Sequence, residues 1–342
     1  MRYPEFLKKG DTIGFIAPSF GCTQEPYISG FEAAIKRFEA MGMKTLTGPN
    51  CKREDGIGKS STAEKCAAEI NEFFKENKCS VIISCGGGET MCEDLPYVDF
   101  KDIAAAKPKW YMGYSDNTNL TFTLPTLCDI AAIYGPCAAE FGMENPHPAI
   151  TDAIGVMTGD RLKLKNYDGW ERESLKNEEN PLASYNITEG YSQKIFGNTE
   201  AAGHLEGRLL GGCLDCLVNL AGTRFDRVKE FNERYKEDGI IWFLEACDLN
   251  PMGYRRALWQ LKEAGWFENA KGFLLGRPLH FDEEMFGQTC LDSAKAMLGE
   301  LNVPVIADID LGHVNPKLPL ISGAYAKVRT GNNELFIEME LK

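Results

Sequence analysis

Long apolar segments are missing from this sequence, because no run approaches the roughly 20 residues that a membrane-spanning helix needs. The N-terminal segment also lacks the apolar core of a secretory signal. Basic residues are also outnumbered: there are 37 Lys and Arg against 50 Asp and Glu, which gives a formal net charge of −13. A nucleic-acid-binding protein needs a basic face that displaces counterions from phosphates. We therefore expect a cytoplasmic protein whose partners include neither a membrane nor a nucleic acid.

Cysteine, by contrast, is abundant, with 12 residues in a chain of 342. In a long chain without a secretory signal, this number favours reduced thiols over a disulfide framework. The hydrophobic share of 44% and the charged share of 25% are typical of a soluble globular protein. The length suggests two domains.

Short buried strands alternate with helices over roughly the first 150 residues. Apolar runs at 12–17, 80–84 and 110–113 are typical of buried strands, whereas 27–41 and 63–74 carry apolar residues at helical spacing. This alternation indicates βαβ units, and it predicts an α/β fold with a mostly parallel sheet.

Changes in composition divide the chain further. Residues 1–165 form the predicted N-terminal α/β domain, and the polar stretch 166–203 is predicted to be a linker or surface loop. Residues 204–342 end in several strand-like runs, which predicts a smaller, strand-rich α/β C-terminal domain. Within it, 209–220 is predicted to be a helix and 240–244 a buried strand.

Candidate chemical groups follow four of these strands, where open parallel sheets place their functional residues. The glycine run 86–88 exposes backbone amides that can hold an anion or an oxyanion. Ser115 lies at a strand-to-helix junction, where a serine can sit on a sharp turn as an exposed nucleophile. The alternative is that Ser115 or Asp116 caps the following helix. Glu245 ends a buried strand, and His313 lies in a loop between Gly and Asn-Pro.

Taken together, these residues form a chemically complete set. A serine hydroxyl is a weak nucleophile and needs a general base, which His313 could supply for Ser115. A carboxylate such as Glu245 would hold the histidine in the correct tautomer and stabilise its protonated form. A catalytic triad is defined by geometry, so the order Ser, Glu, His along the chain is permissible.

The sequence resembles the LD-carboxypeptidase family of serine peptidases (peptidase family S66) over almost its whole length. The segments that carry the resemblance are GDTIGFIAPS (10–19), GGGETMCEDLPYVDF (86–100), MGYSDNTNL (112–120), EGRLLGGCLDCL (206–217), IIWFLEACD (240–248), LKEAGWFENAKGFLLGRP (261–278) and PVIADIDLGHVNPKLPLISGAYAKV (304–328).

This resemblance implies a flavodoxin-like N-terminal domain, a smaller C-terminal domain and an active site between them. It implies that Ser115 is the nucleophile, that Glu245 and His313 complete the triad, and that the backbone amides of Gly88 and Asp116 form the oxyanion hole. It also implies a homodimer that needs no metal or cofactor.

The expected substrate is a small peptide or a peptide-nucleotide. Family members release the terminal D-alanine of murein tetrapeptides, and a related branch, the microcin C immunity proteins, cleaves toxins of the aminoacyl-nucleotide type. Murein-specific members mostly carry Arg-Gly-Gly-Tyr at the glycine turn, where this chain has Cys-Gly-Gly-Gly-Glu. The candidate substrate-binding residues are Gly87 and Glu89 of that turn, with Trp170 and Tyr185 of the polar segment.

Three other interpretations stay open at the level of sequence. Two α/β domains with a cleft would also suit a non-catalytic protein that binds a small molecule. Cys85, which precedes the glycine turn, is an alternative nucleophile, although Cys at a strand end is commonly an apolar filler. Cys213 and Cys216 form a C-x-x-C pair, but a structural zinc site would need a second such pair.

Overall fold

Strands and helices alternate along most of the chain. The computed structural model describes residues 1–56 and 58–342. The β-strands of this part are β1 (Thr12–Ile16), β2 (Lys44–Thr47), β3 (Val81–Ser84), β4 (Trp110–Gly113), β5 (Ala132–Tyr134), β6 (Lys163–Lys165), β7 (Gly169–Glu171), β8 (Ile187–Gly190), β9 (Lys194–Gly197), β10 (Leu205–Cys213), β11 (Ile240–Glu245), β12 (Ala270–Gly276), β13 (Pro304–Ile309), β14 (Leu320–Ser322), β15 (Tyr325–Gly331) and β16 (Glu334–Glu340). The α-helices are α1 (Tyr27–Ala40), α2 (Ala63–Lys75), α3 (Phe100–Ala105), α4 (Thr118–Thr121), α5 (Thr123–Cys128), α6 (Pro148–Thr158), α7 (Leu214–Leu220), α8 (Val228–Arg234), α9 (Pro251–Glu263) and α10 (Cys290–Leu298).

The first sheet has six strands in the order β14-β5-β4-β3-β1-β2. Strands β1 to β5 pair in parallel, and only β14 runs antiparallel, against β5. Helix α1 covers this sheet with Phe31, Ala34 and Phe38, which lie on one face because of their helical spacing. The strand order 2-1-3-4-5 is that of flavodoxin-like folds, in which ligands bind beyond the carboxyl ends of the strands. The predicted α/β class with a mostly parallel sheet is confirmed.

The second sheet has eight strands in the order β6-β16-β15-β10-β11-β12-β13-β9. Its four central strands, β10 to β13, are parallel, and the flanking strands are antiparallel to their neighbours. This sheet is the strand-rich second domain that the sequence predicted. Strands β7 and β8, both from the polar stretch, form a separate antiparallel pair, and β9 from the same stretch is an edge of the second sheet.

The prediction of a helix over 209–220 is wrong in its first half, because residues up to Cys213 belong to β10. Gly211 allows the neighbouring strand to come very close, since a Cβ on this residue would lie 1.7 Å from the carbonyl oxygen of Phe243. Gly211 therefore serves close strand packing, Gly212 lies against Thr118 of α4, and the helix begins only at Leu214.

The two sheets exchange strands and share one core. Strand β6 lies at the end of the predicted N-terminal domain but pairs with β16 of the second sheet, whereas β14 lies within the predicted C-terminal domain and pairs with β5 of the first sheet. Tyr134 on β5 packs against Phe243 on β11, with ring centroids 5.4 Å apart. No helix among the described residues is both long and apolar enough to cross a membrane.

Candidate active site

The structure brings Ser115, Glu245 and His313 together at the boundary between the two sheets. Ser115 follows β4 of the first sheet, Glu245 is the last residue of β11, and His313 lies in the loop after β13. The Ser115 Oγ atom is 2.9 Å from His313 Nε2, and His313 Nδ1 is 2.7 Å from Glu245 Oε2. These contacts join residues that are 198 and 68 positions apart in the chain. The three predicted side chains thus form one continuous hydrogen-bonded chain.

Ser115 sits on a strained turn. Its φ of +62° is in the left-handed region, which is uncommon for a residue with a Cβ and is often found at functional sites. Its backbone N–H donates to the Tyr134 hydroxyl at 3.2 Å, and its side chain faces the imidazole of His313. Neither Ser115 nor Asp116 acts as a side-chain cap here, because the 3-10 turn and the short helix that follow have no side-chain cap hydrogen bond.

Glu245 is a buried carboxylate with two well-placed donors. It is 0% exposed, and its Oε1 accepts a 2.5 Å hydrogen bond from the Tyr134 hydroxyl while Oε2 faces His313. Burial disfavours its ionised form, but the charge and hydrogen bonding of His313 and the Tyr134 bond outweigh burial and hold the pKa of Glu245 below its usual value. Gly312 makes room for it, since a Cβ there would lie 2.5 Å from Oε2.

His313 shows the reciprocal shift. Burial disfavours the imidazolium, but the neighbouring Glu245 carboxylate raises the pKa of His313 above its usual 6.5, with Lys317 opposing this effect. The ring of Tyr114 packs against the imidazole with centroids 5.2 Å apart. The histidine therefore has a fixed orientation and an environment that accepts a proton readily.

Tyr134 is a site residue that sequence reasoning missed. Its hydroxyl accepts from the Ser115 amide and donates to Glu245, so it connects the first and last members of the hydrogen-bonded chain. The available signal was its position: Tyr134 ends β5, the strand beside β4, and residues at the ends of neighbouring parallel strands meet at one edge of the sheet.

The glycine turn lies directly against the serine. A Cβ on Gly87 would be 3.1 Å from both Cβ and Oγ of Ser115, and Gly88 has a φ of +149°. A Cβ on Gly88 would lie 2.0 Å from the Ser19 hydroxyl, so only glycine fits. Asp116 is the second residue of the 3-10 turn Ser115–Asn117, where the first amides have no partner within the turn. Gly88 and Asp116 line the same cavity as Ser115.

The four candidate substrate-binding residues lie in different places. Gly87 contacts Ser115, and Glu89 lines a cavity of about 140 Å³ that also includes Ser115. Trp170 lines a second cavity of about 540 Å³, where its ring packs edge-on against Phe281. Tyr185 donates a 3.0 Å hydrogen bond to Glu140. Neither Trp170 nor Tyr185 is among the described residues that line the cavity beside Ser115.

Two alternatives to a serine nucleophile concern a cysteine nucleophile and a bound metal ion. Cys85 is 0% exposed, and its burial raises the pKa of the thiol, so it lacks both the access and the ionisation of a nucleophile. Donor atoms of Cys213, Glu245 and His313 lie within 4.8 Å of one another, which is a ligand set that zinc accepts. However, both ring nitrogens of His313 already face hydrogen-bond partners, Glu245 and Ser115, so neither points freely at a metal.

Comparisons with known proteins agree with this architecture. Residues 13–135 match the model of the LD-carboxypeptidase N-terminal domain, and residues 206–328 match that of the C-terminal domain. Among curated proteins, the chain is 26% identical to the microcin C7 self-immunity protein MccF of Escherichia coli, over 97% of this chain and 94% of the relative. It is 25% identical to a probable murein peptide carboxypeptidase of Bacillus subtilis, over 98% and 94%.

Solved structures share the fold over the full length. MccF in complex with aspartyl sulfamoyl adenosine superposes with a TM-score of 0.83 at 24% identity, covering 99% of both chains. An MccF-like protein from Bacillus anthracis str. Ames gives a TM-score of 0.80 at 23% identity, covering 99% of this chain and 100% of that one. The first domain match contains Ser115, and the second contains Glu245 and His313. Together the two matches show that this chain belongs to the LD-carboxypeptidase family of peptidases.

Proposed function

We propose that this protein is a serine hydrolase that cleaves an amide bond in a small peptide or peptide-like substrate. The observation that carries the proposal is the unbroken sequence of contacts from Ser115 Oγ through His313 to the buried Glu245 carboxylate. Such an arrangement is the one that activates a serine hydroxyl in unrelated hydrolases.

In the first step, the neutral His313 Nε2 accepts the proton of Ser115 as Oγ attacks the amide carbonyl carbon. The positive charge that forms on the imidazole is stabilised by the Glu245 carboxylate. The Tyr134 hydroxyl stabilises that carboxylate in turn, by a hydrogen bond to Oε1. The carbonyl oxygen becomes an oxyanion, and the donors that we assign to it are the backbone amides of Gly88 and Asp116, which line the same cavity as Ser115. One such donor contributes about 3–4 kcal/mol in other hydrolases.

In the second step, His313 returns the proton to the leaving nitrogen as the carbon–nitrogen bond breaks, which leaves the acyl group on Ser115. A water molecule then gives its proton to the same His313 nitrogen and attacks the acyl carbon. His313 returns that proton to Ser115 Oγ as the acyl–oxygen bond breaks, which releases the acid and regenerates the serine. No step requires a metal or an organic cofactor.

For the substrate, we propose carboxypeptidase action of the LD type, on a murein tetrapeptide or a related peptide. The support is that relatives over nearly the full length are named as murein peptide and other carboxypeptidases. The second candidate is hydrolysis of peptidyl- or aminoacyl-nucleotides. It is favoured by the likeness to MccF, and by the separate cavity with Trp170 and Phe281, whose rings offer a surface for a nucleobase. We further propose a cytoplasmic homodimer.

The test is a competitive turnover assay with a murein tetrapeptide and an aminoacyl sulfamoyl adenosine, with the products identified by mass spectrometry. Ser115→Ala should abolish turnover of whichever substrate the wild type cleaves while leaving the thermal unfolding midpoint unchanged. Ser174→Ala, on an exposed serine that does not line the cavity beside Ser115, is the matched control and should retain full activity. Activity retained in Ser115→Ala would refute Ser115 as the nucleophile. Absence of turnover in the wild type, together with failure of Ser115 to react with a mechanism-based serine reagent, would favour a non-catalytic binding protein.

A further inference from the structure

Cys213 brings a thiol to the edge of the candidate triad. It is the last residue of β10, and in the parallel pairing of β10 with β11 it lies opposite Glu245, the last residue of β11. Side chains at paired positions of neighbouring strands point to the same face of a sheet, so this register places the sulfur beside the carboxylate. The proposed hydrolysis uses Glu245 and His313 but gives this thiol no part.

The thiol, the carboxylate and the imidazole together form a set of metal ligands. One donor atom each of Cys213, Glu245 and His313 lies within 4.8 Å of the other two. Tetrahedral ligands of zinc are separated by about 3–4 Å, so a contraction of about 1 Å brings these atoms to coordinating distance. Thiolate, imidazole and carboxylate are the protein ligands of zinc, whereas Mg²⁺ and Ca²⁺ prefer oxygen ligands alone.

The charges of this set balance in a buried place. Cys213 is 1% exposed and Glu245 is 0% exposed, so an uncompensated charge between them would be costly. A divalent cation bound by one carboxylate, one thiolate and one neutral imidazole leaves no net charge. The thiol proton passes to the solvent as the sulfur–metal bond forms. The ligand set therefore suits a divalent cation.

An acidic cavity gives an ion access to the sulfur. Cys213 lines the cavity beside Ser115, and the carboxylates of Glu89 and Asp215 line it too. Asp215 is in direct contact with the thiol, because Cys213 Sγ donates to its Oδ2 at 3.2 Å. Negative groups along a cleft raise the local concentration of cations. Asn119 of the same wall is 1% exposed, and its Oδ1 has no hydrogen-bond partner among the described residues, so it can accept from a water of the hydrated ion.

We propose that Cys213, Glu245 and His313 form an inhibitory site for a divalent transition-metal cation such as Zn²⁺. The ring nitrogens of His313 face Ser115 and Glu245, so the ion must displace one of these contacts. An ion on Nε2 removes the acceptor for the serine proton. An ion on Nδ1 leaves the ring proton on Nε2, which then cannot accept a second one. In both cases the imidazole is no longer a base, so the metal-bound protein is inactive.

The first experiment measures inhibition. Wild-type protein is treated with a chelator and dialysed, and turnover of the substrate that it cleaves is followed at buffered concentrations of free Zn²⁺. Turnover should fall by about tenfold at a free Zn²⁺ concentration about ten times the dissociation constant measured by calorimetry. Millimolar Mg²⁺ and Ca²⁺ should leave turnover unchanged, because neither ion takes a thiolate ligand. Full turnover at saturating Zn²⁺ would overturn the proposal.

The second experiment tests the thiol. Cys213→Ser replaces the sulfur by a hydroxyl, which is a poor ligand for zinc. The Zn²⁺ concentration that halves the variant's own metal-free activity should rise by at least about 100-fold, since changes in groups that merely contact the ligands already cost about 10- to 100-fold. The matched control is Cys92→Ser, on a less buried thiol that lines the same cavity, and it should keep the wild-type value. Equal inhibition of Cys213→Ser and wild type, or relief by Cys92→Ser, would refute the site.

Cobalt supplies a readout that requires neither catalysis nor a variant. Co²⁺ bound to a thiolate has a sulfur-to-metal charge-transfer absorption, so wild-type protein should gain this band up to one equivalent of Co²⁺. Zn²⁺ should then abolish the band by displacement, because it binds such sites more tightly than Co²⁺. Absence of the band would overturn the proposal, even if Cys213→Ser does not fold.

Calorimetry with Ser115→Ala separates the metal site from the hydrolase, because the site does not depend on the proposed function and only the inhibition rests on it. This variant keeps all three ligands and loses the hydroxyl that competes for His313, so it should bind Zn²⁺ at least as tightly as wild type. If the wild type cleaves no amide but Ser115→Ala binds one Zn²⁺, the amide-hydrolase proposal fails and the metal site stands. If the wild type is active and Zn²⁺ neither binds nor inhibits, the metal site fails and the hydrolase stands.

Discussion

Replacing Tyr134 by Phe is the sharpest test of how the candidate site is held together. The change removes one oxygen atom, and with it the 2.5 Å hydrogen bond to Glu245 and the 3.2 Å bond from the Ser115 amide. Because the carboxylate is 0% exposed, no bulk water replaces the lost donor. A hydrogen bond to a charged group contributes about 1.5–3 kcal/mol, and the bond to the amide about 1 kcal/mol. We therefore expect a loss of about 2.5–4 kcal/mol in the free energy of unfolding at neutral pH.

The same substitution should lower activity, because Glu245 would hold His313 less firmly and Ser115 would lose a fixed amide. If about half of the lost energy is also lost in the transition state, kcat/KM falls by about 10- to 30-fold, since each 1.36 kcal/mol is tenfold in rate. A less stabilised Glu245 charge also favours protonation of that group, so the pH profile should change as well. Denaturant unfolding and a pH series of kcat/KM measure both effects.

Tyr167→Phe is the matched control. Its hydroxyl also donates to a buried carboxylate, Asp152, at 3.0 Å, but it lies outside the candidate site. This control should lose stability while keeping kcat/KM and its pH profile within about twofold. If Tyr134→Phe behaves in the same way, with lower stability and wild-type kinetics, then Tyr134 has a structural role only and our reasoning about the site is refuted.

The remaining predictions concern the histidine and the glycine turn. His313 must be neutral to accept a proton, and Glu245 raises its pKa above 6.5, so kcat/KM should rise with pH through an apparent pKa above 6.5. For the same reason, the contribution of His313 to stability is fully present below pH 6.5 and is lost as the pH rises through its raised pKa, whereas the contribution of Glu245, whose pKa is lowered, is present above pH 4.5 and is lost as the pH falls. Glu245→Gln should move the acidic limb to lower pH and reduce kcat/KM by about 10³- to 10⁴-fold, and an unmoved limb would show that another group sets the pKa. Gly88→Ala should reduce kcat/KM by at least about tenfold with little change in KM, because its Cβ would collide with Ser19 and shift the amide, and wild-type kcat would exclude that amide as an oxyanion donor.

Much of the fold was predictable because apolar runs mark the strands. The strands over Thr12–Ile16, Val81–Ser84 and Trp110–Gly113 are buried throughout most of their length, and the chain places no charged residue inside them. The candidate triad followed from the same logic, since each of its members comes at or after a strand end. Pattern reasoning failed at Gly211, because glycine before an apolar run suits both a helix start and a closely packed strand.

The parts that could not be predicted depend on contacts between distant segments. Tyr134 lies in a strand that the sequence indicates, yet its hydroxyl meets Glu245, which is 111 positions away. Trp170 and Tyr185 were grouped by their place in the polar stretch, but the structure separates them: one lines a second cavity and the other bonds to Glu140. Periodicity describes which face of an element is buried, and it contains no information on which distant element covers that face.

The exchange of β6 and β14 between the sheets has a mechanical consequence. Opening the two domains like a hinge would strip β14 from β5, the strand whose last residue supports Glu245, and would pull β6 from β16. The two sides of the cleft that the substrate enters are therefore held together by these strand pairings. It also follows that a fragment cut between the two segments that match the family, 13–135 and 206–328, would leave β5 with an unpaired edge, because its antiparallel neighbour lies in the second segment. The chain should unfold in a single cooperative transition, and separately produced halves should recover activity only when they are folded together.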